Sequence, residues 1–259
     1  MSAIIYKGKS LINNDNIVVI AVSNSKNSKT GNVIQTYILV DNEYTPNQNV
    51  YSLKDEAICG NCIHRRGTGG SCYVNIGQGP TQVYKAYKKG TYKFNPVQAQ
   101  QESRDRMVRL GTYGDPAAVP RYVWDNLLKY SAGHTGYTHQ WNNSNIEFIA
   151  DIVMASADSE KDRIAAKKKG YRTFRIRKEN EPLMKNEFIC PASEEGNKRK
   201  QCFECKACDG GYNTNKGDPV IITHGILKTR FRKSNGLGYM DMGAFDFIKN
   251  PIKKFLTVF

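Results

Sequence analysis

No stretch of this 259-residue chain approaches the roughly eighteen consecutive apolar residues of a membrane-spanning helix, so no membrane partner is expected. The first residues, MSAIIYKGKS, lack a long apolar stretch followed by a small-residue cleavage site, and a secretory leader is not expected either. Carboxylates are in short supply: 24 Asp and Glu stand against 38 Lys and Arg, a net charge of +14 that makes contact with a polyanion a natural expectation. A phosphate-binding loop is missing too, because Lys29, Thr30 and Gly31 offer neither the glycine spacing nor the GK[ST] order. In a chain read as non-secreted, seven clustered cysteines argue for metal before disulfides. The length allows one large core or two modest ones.

The cysteines divide as three plus four. In CPASEEGNKRKQCFECKACDG, residues 190–210, the CxxCxxC run of Cys202, Cys205 and Cys208 brings three thiols onto one tight loop, and Cys190 before Pro191 supplies a fourth. Such a run with a separate Cys-Pro wraps a four-iron, four-sulfur cluster. Zinc is the alternative, although structural zinc more often takes two separated CxxC pairs. In CGNCIHRRGTGGSCYV, residues 59–74, Cys59 and Cys62 form a CxxC and a glycine-rich turn returns the chain to Cys72. Three thiols could hold a cluster with one iron open, or join His64 around zinc. Gly69 and Gly70 allow the close backbone approach a bound cofactor needs, and Arg65 and Arg66 are candidate anion contacts.

Basic residues with interleaved aromatics suit phosphate contact plus base stacking. Lys85, Lys88 and Lys89 lie among Tyr84, Tyr87, Tyr92 and Phe94; Arg175 and Arg177 lie in the stretch 172–178; Arg230 and Arg232 lie in 228–233. These are the candidate nucleic-acid contacts, and a plain solvated basic surface is the other reading.

Short β-branched runs at 17–22 and 33–40, separated by turn formers, predict an antiparallel hairpin. Residues 41–55 read as loop. From 104 the pattern alternates: strands at 107–113, 135–141, 148–156, 171–177, 188–190 and 220–224, with helices at 119–130 and 160–169, the latter capped by Asp158 or Ser159. Repeated βα units predict an α/β fold with a parallel, partial or complete barrel-like core and Cys-rich metal-binding loops. The expected segments are a β-rich 1–57, a Cys-rich and basic 58–103, a βα core 104–225 and a basic tail 226–259, whose apolar end is expected to pack back. Functional residues collect at the C-terminal ends of such strands, which singles out Asp115, His139 and Asp158 as catalytic candidates and Gly114 as a cofactor contact.

The segments KTGNVIQTYIL (29–39), CGNCIHRRGTGGSCYVNIGQGPTQVYKAY (59–87), RLGTYGDPAAVP (109–120), HTGYTHQW (134–141), ASADSEKDRIAAKKKGYRTFRI (155–176) and CPASEEGNKRKQCFECKACDG (190–210) resemble a group of Cys-rich proteins encoded by bacteriophages and mobile elements, and more distantly the phage gene-product-88 family. From first segment to last the resemblance spans about two thirds of the chain, with gaps between, and it implies a phage protein acting in the host cytoplasm. In layout the chain also resembles radical S-adenosylmethionine enzymes: three cysteines, βα units, then a second Cys-rich site. The spacing departs from that family's CxxxCxxC, and its glycine-rich cofactor motif is represented by Gly114 and Asp115 alone. The resemblance implies S-adenosylmethionine as a cofactor. Three functions are therefore expected in turn: an iron–sulfur enzyme, radical-forming in type, acting on nucleic acid or a nucleotide; a zinc-stabilised nucleic-acid-binding protein; and a phage protein that occupies a host protein.

Overall fold

Valine and isoleucine crowd the first forty residues, and in the computed structural model they form β1 (Ala3–Lys9), β2 (Asn16–Val22) and β3 (Val33–Val40). The model describes residues 2–24, 31–212, 216–225 and 227–233. β2 and β3 pair antiparallel from Ile17 opposite Val40 to Val22 opposite Gln35, the expected hairpin, and β1 adds an antiparallel edge that the sequence reading missed. Both faces of β2 and β3 are buried, which is why these strands read as continuous apolar runs rather than alternating ones.

From β3 onward the strands run parallel: β4 (Met107–Tyr113), β5 (Gly133–Thr138), β6 (Met154–Ala157), β7 (Thr173–Arg177), β8 (Glu187–Ile189) and β9 (Asp218–Ile222). One nine-stranded sheet results, ordered β1-β2-β3-β4-β5-β6-β7-β9-β8. β3 therefore joins the segment expected at 1–57 directly to the βα core. Among the described residues no strand pairing closes the sheet, so the barrel expectation reduces to a mostly parallel α/β sheet.

The helices are α1 (Pro46–Tyr51), α2 (Glu56–Cys59), α3 (Gly79–Lys88), α4 (Pro96–Glu102), α5 (Arg121–Leu128), α6 (Glu160–Lys168), α7 (Cys202–Cys205) and α8 (Lys228–Lys233). α1 corrects the loop expected over 41–55. Thr45 accepts from the Gln48 amide while the Gln48 side chain accepts from the Thr45 amide, and Pro46 fills the first turn. α6 settles which residue caps it: Ser159 accepts from the Asp162 amide at 3.1 Å, leaving Asp158 for another role. The strand expected over 148–156 shortens to β6, because Ile149, Ala150, Ile152 and Val153 are buried by turns packing into the core rather than by pairing. The apolar end of the tail, 234–259, lies outside the described residues. No helix among the described residues is long and apolar enough to cross a membrane.

Candidate functional site

Side chains alternate across a strand, so the parallel sheet presents one set of residues to its helices and another to the opposite face. α6 packs on β6 and β7. The alternate residues Thr135 and Tyr137, Phe174 and Ile176, and Pro219, Ile221 and Thr223 line a cavity of about 210 Å³ that reaches the C-terminal strand ends. All seven cysteines belong to segments at this cavity, and every one of Cys59, Cys62, Cys72, Cys190, Cys202, Cys205 and Cys208 lines it. Residues more than a hundred positions apart in sequence thus face one space.

The first cysteine loop leaves α2 and is shaped by its own arginines. Arg65 is buried and ion-paired to Asp55 at 2.6 Å, and its guanidinium also donates to the Leu53 carbonyl at 2.8 Å and the Gly60 carbonyl at 3.1 Å. Arg66 donates to the Cys72 and Val74 carbonyls at 3.1 and 2.5 Å. The turn closes so tightly that a Cβ on Gly70 would stand 2.3 Å from the His64 carbonyl carbon. Gly69 ends the short 3-10 turn Arg66–Thr68 with a left-handed conformation. These four residues, expected to contact an anion or cofactor, hold the loop itself.

The second group is framed in the same way. Cys190 follows β8 and donates its amide to the Val220 carbonyl at 2.8 Å. Cys202 and Cys205 bracket α7, which Gln201 and Glu204 cap, and Lys206 turns the chain with a left-handed φ of 52° toward Cys208. The Cys208 carbonyl accepts from the Gly136 amide of β5 at 3.1 Å. Buried Arg172 ties this loop to the sheet, donating to Asp209 at 2.8 Å and to the carbonyls of Ala207, Gly210 and Gly217.

The thiols influence one another within each group. Burial pushes the Cys59 thiol well up, and Asp55, Cys62 and Cys72 add to it. Burial likewise raises Cys208; a Tyr137 hydrogen bond offsets part of that, while Cys190, Cys202 and Cys205 reinforce it. Burial also works against a charged Cys62, but the neighbouring His139 and His64 outweigh it and bring that thiol below its ordinary value.

Beside Cys62 a polar cluster gathers from three chain segments. His64 Nε2 lies 2.8 Å from Asp158 Oδ1, and His139 Nε2 lies 3.2 Å from Asp158 Oδ2. Asp158 is buried, and although burial alone would raise its carboxyl, the two imidazoles hold it well below the usual range. Asp115 sits behind them: its carboxylate accepts from the His139 amide at 2.8 Å and the Ala117 amide at 3.0 Å, so it positions His139. Gly114 has a φ of +84°, and a Cβ there would fall 2.7 Å from Cβ of Ile38, which makes it a packing glycine between β3 and β4.

The basic residues expected to meet nucleic acid disperse. Arg175 is buried against Glu187 and Glu181, and Arg177 pairs with Glu195 and donates to three backbone carbonyls of 178–181. Their stretch is basic in sequence yet neutralised in place. Lys85 and Lys88 on α3 and Lys89 just beyond its end are exposed, with Lys88 paired to Glu43 at 2.7 Å, and none of them lines the cavity. Arg230 on α8 donates to the Gly70 carbonyl at 3.1 Å, and Arg232 lies on the same helix. What sequence reasoning missed is Arg109 on β4. It reaches the cavity with Tyr73 Oη at 3.3 Å and the Tyr137 ring 5.9 Å away, and no carboxylate pairs with it among the described residues. Its only signal was its place at alternate spacing on β4 before Gly111. No family model matches the chain, and neither a curated protein nor a solved structure matches it.

Proposed function

We propose that the protein is an iron–sulfur metalloprotein whose cavity acts on a nucleotide or nucleic acid, as a radical-type enzyme of phage origin working in the host cytoplasm. The observation that carries this reading is the convergence of all seven cysteines on one cavity along the sheet face. Buried thiols that raise one another cannot all ionise without a cation, and a metal centre is what converts such a group to thiolates. The sequence pattern favours a cluster over a single ion: a CxxCxxC run with a separate Cys-Pro wraps a four-iron cube, whereas structural zinc more often takes two separated CxxC pairs.

In this reading Cys59, Cys62 and Cys72 hold one cluster, and Cys190, Cys202, Cys205 and Cys208 a second. A bound cluster would supply single electrons. The chain's own residues do the rest. Tyr73, Tyr137 and Phe174 offer ring faces for a base, with Tyr137 and Phe174 edge to face at 4.9 Å. Arg109, uncompensated by any described carboxylate, offers a cation for a phosphate. The parallel strands form the wall of a partial barrel open to this ligand, and S-adenosylmethionine belongs to the same proposal as the co-substrate of the first cluster.

Anaerobic purification, a visible spectrum, and analysis for iron, zinc and acid-labile sulfide test the reading. A brown protein absorbing near ~400 nm with sulfide equal to iron supports it. Stoichiometric zinc in a colourless protein that takes up no iron on anaerobic reconstitution overturns it and leaves a zinc-stabilised nucleic-acid-binding protein.

A further inference from the structure

We propose that His64, His139 and Asp158 form a binding site for one divalent transition-metal ion beside Cys62 of the first cysteine group. The ligand atoms of the three residues all lie within 4.8 Å of one another, alone among groups of such residues in the described chain. They arrive from the first cysteine loop, the end of β5 and the end of β6, the strand-end rim where this fold collects functional groups. Bonds of about 2.1 Å place neighbouring ligand atoms about 3.0 Å apart around an octahedral ion and about 3.4 Å around a tetrahedral one. The observed 2.8 and 3.2 Å bracket the first value.

Two imidazoles ion-paired to one carboxylate would give similar distances, and the manganese titration below decides between the two. His64 Nε2, His139 Nε2 and both Asp158 oxygens are buried and face one another without a hydrogen bond of good geometry, and the Cys62 thiol borders His139. Buried polar atoms in a native protein are seldom left without well-formed hydrogen bonds, and four at one place suit an ion.

The surroundings are those of a metal site. His64 Nδ1 is 2.7 Å from the Ser71 hydroxyl, which fixes the ring and leaves Nε2 as the ligand atom. The His139 backbone amide is held by Asp115. Phe231 of α8 lies over the His64 ring, 5.8 Å between centroids, and shields it from water. Asp158 sits behind while both imidazoles line the cavity, so an ion here would present its remaining positions to a ligand in that space. Two histidines and one carboxylate with open positions suit iron(II) or manganese(II) and act as a Lewis acid toward a bound oxygen.

Manganese(II) alone is the probe, because thiolates attract it least among these ions. Titration of the full chain, followed by the loss of the free-ion paramagnetic resonance signal, is expected to show one site per chain. Asp158→Asn weakens that site at least 10-fold, Ser71→Ala weakens it about 10-fold through the lost ring partner, and Cys202→Ser leaves it unchanged. Should Asp158→Asn fail to fold, His64→Gln carries the same comparison. Wild-type protein that binds no manganese, or binding that survives Asp158→Asn or His64→Gln, overturns the proposal and makes the cluster a buried ion pair. The result does not depend on iron or sulfide content, so it stands or falls apart from the cluster reading.

Discussion

Replacing Arg65 with Met removes a guanidinium that pairs with Asp55 at 2.6 Å, lies 3.9 Å from Glu56 and donates to two carbonyls, but leaves a side chain of similar volume. Asp55, 2% exposed, would lose the cation that faces it at 2.6 Å, and the carbonyls of Leu53 and Gly60 would lose their donors. Breaking a buried pair from one side costs about 3–5 kcal/mol. At about 2–4 °C per kcal/mol for a chain of this size, the melting temperature should fall by roughly 6–20 °C. The pH dependence gives a sharper check. Burial already holds the folded Asp55 carboxyl above its ordinary value despite Arg65. A carboxyl raised on folding binds its proton more tightly in the folded chain, so it favours folding at low pH and disfavours it above its folded pKa. Without the guanidinium it rises further, and the deficit of Arg65→Met should be greatest at neutral pH and shrink as pH falls toward the ordinary carboxylate range. Calorimetry of both proteins at pH 7 and pH 5 reads this directly. A variant that melts with the wild type, or a deficit equal at both pH values, would refute the clamp and return Arg65 to the candidate anion contacts.

Cys72→Ser should lower bound iron and sulfide to about half, the complement of the second group alone, as read by elemental analysis after anaerobic reconstitution. Gly114→Ala meets Ile38 at 2.7 Å and a φ of +84°, and should cost about 2 kcal/mol or more in the midpoint of denaturant unfolding. Arg109→Met should leave the melting temperature within about 2 °C of the wild type while weakening nucleoside monophosphate binding, measured by calorimetry, about 10-fold or more, with the unphosphorylated nucleoside little affected.

The elements legible in the sequence are those with a local cause. The hairpin of β2 and β3, the α5 and α6 helices and the strands β4 and β7 follow from β-branched runs, caps and glycines within a few residues. α1 carried its own signature in Thr45, Pro46 and Gln48 and was hidden only by the density of Asn and Asp around it. The run 148–156 misled because burial in a turn and burial in a strand leave the same composition. The two cysteine groups stood out as groups, but their meeting in one cavity depends on β9 inserting between β7 and β8, a long-range pairing with no local mark. The arginines show the limit best. Arg65, Arg66, Arg172, Arg175 and Arg177 look like an anion-binding set, and Arg109 looks like an ordinary strand residue; only the positions of carbonyls and carboxylates show which guanidiniums already have acceptors within the protein.

That internal pairing bears on how the site is built. A loop with little regular structure still has carbonyls to satisfy when it is buried, and here buried guanidiniums supply the donors: Arg65 and Arg66 for the first cysteine loop, Arg172 for the second. Each guanidinium serves several acceptors from a planar fork, which fixes the loop in more than one direction. The cysteine loops are therefore tied to the rest of the fold by the protein's own guanidiniums. At Cys59 and Cys208 burial and neighbouring sulfur both oppose ionisation, so these thiols favour the neutral form. The clamps, rather than the cysteines, are where substitutions should separate loss of fold from loss of metal.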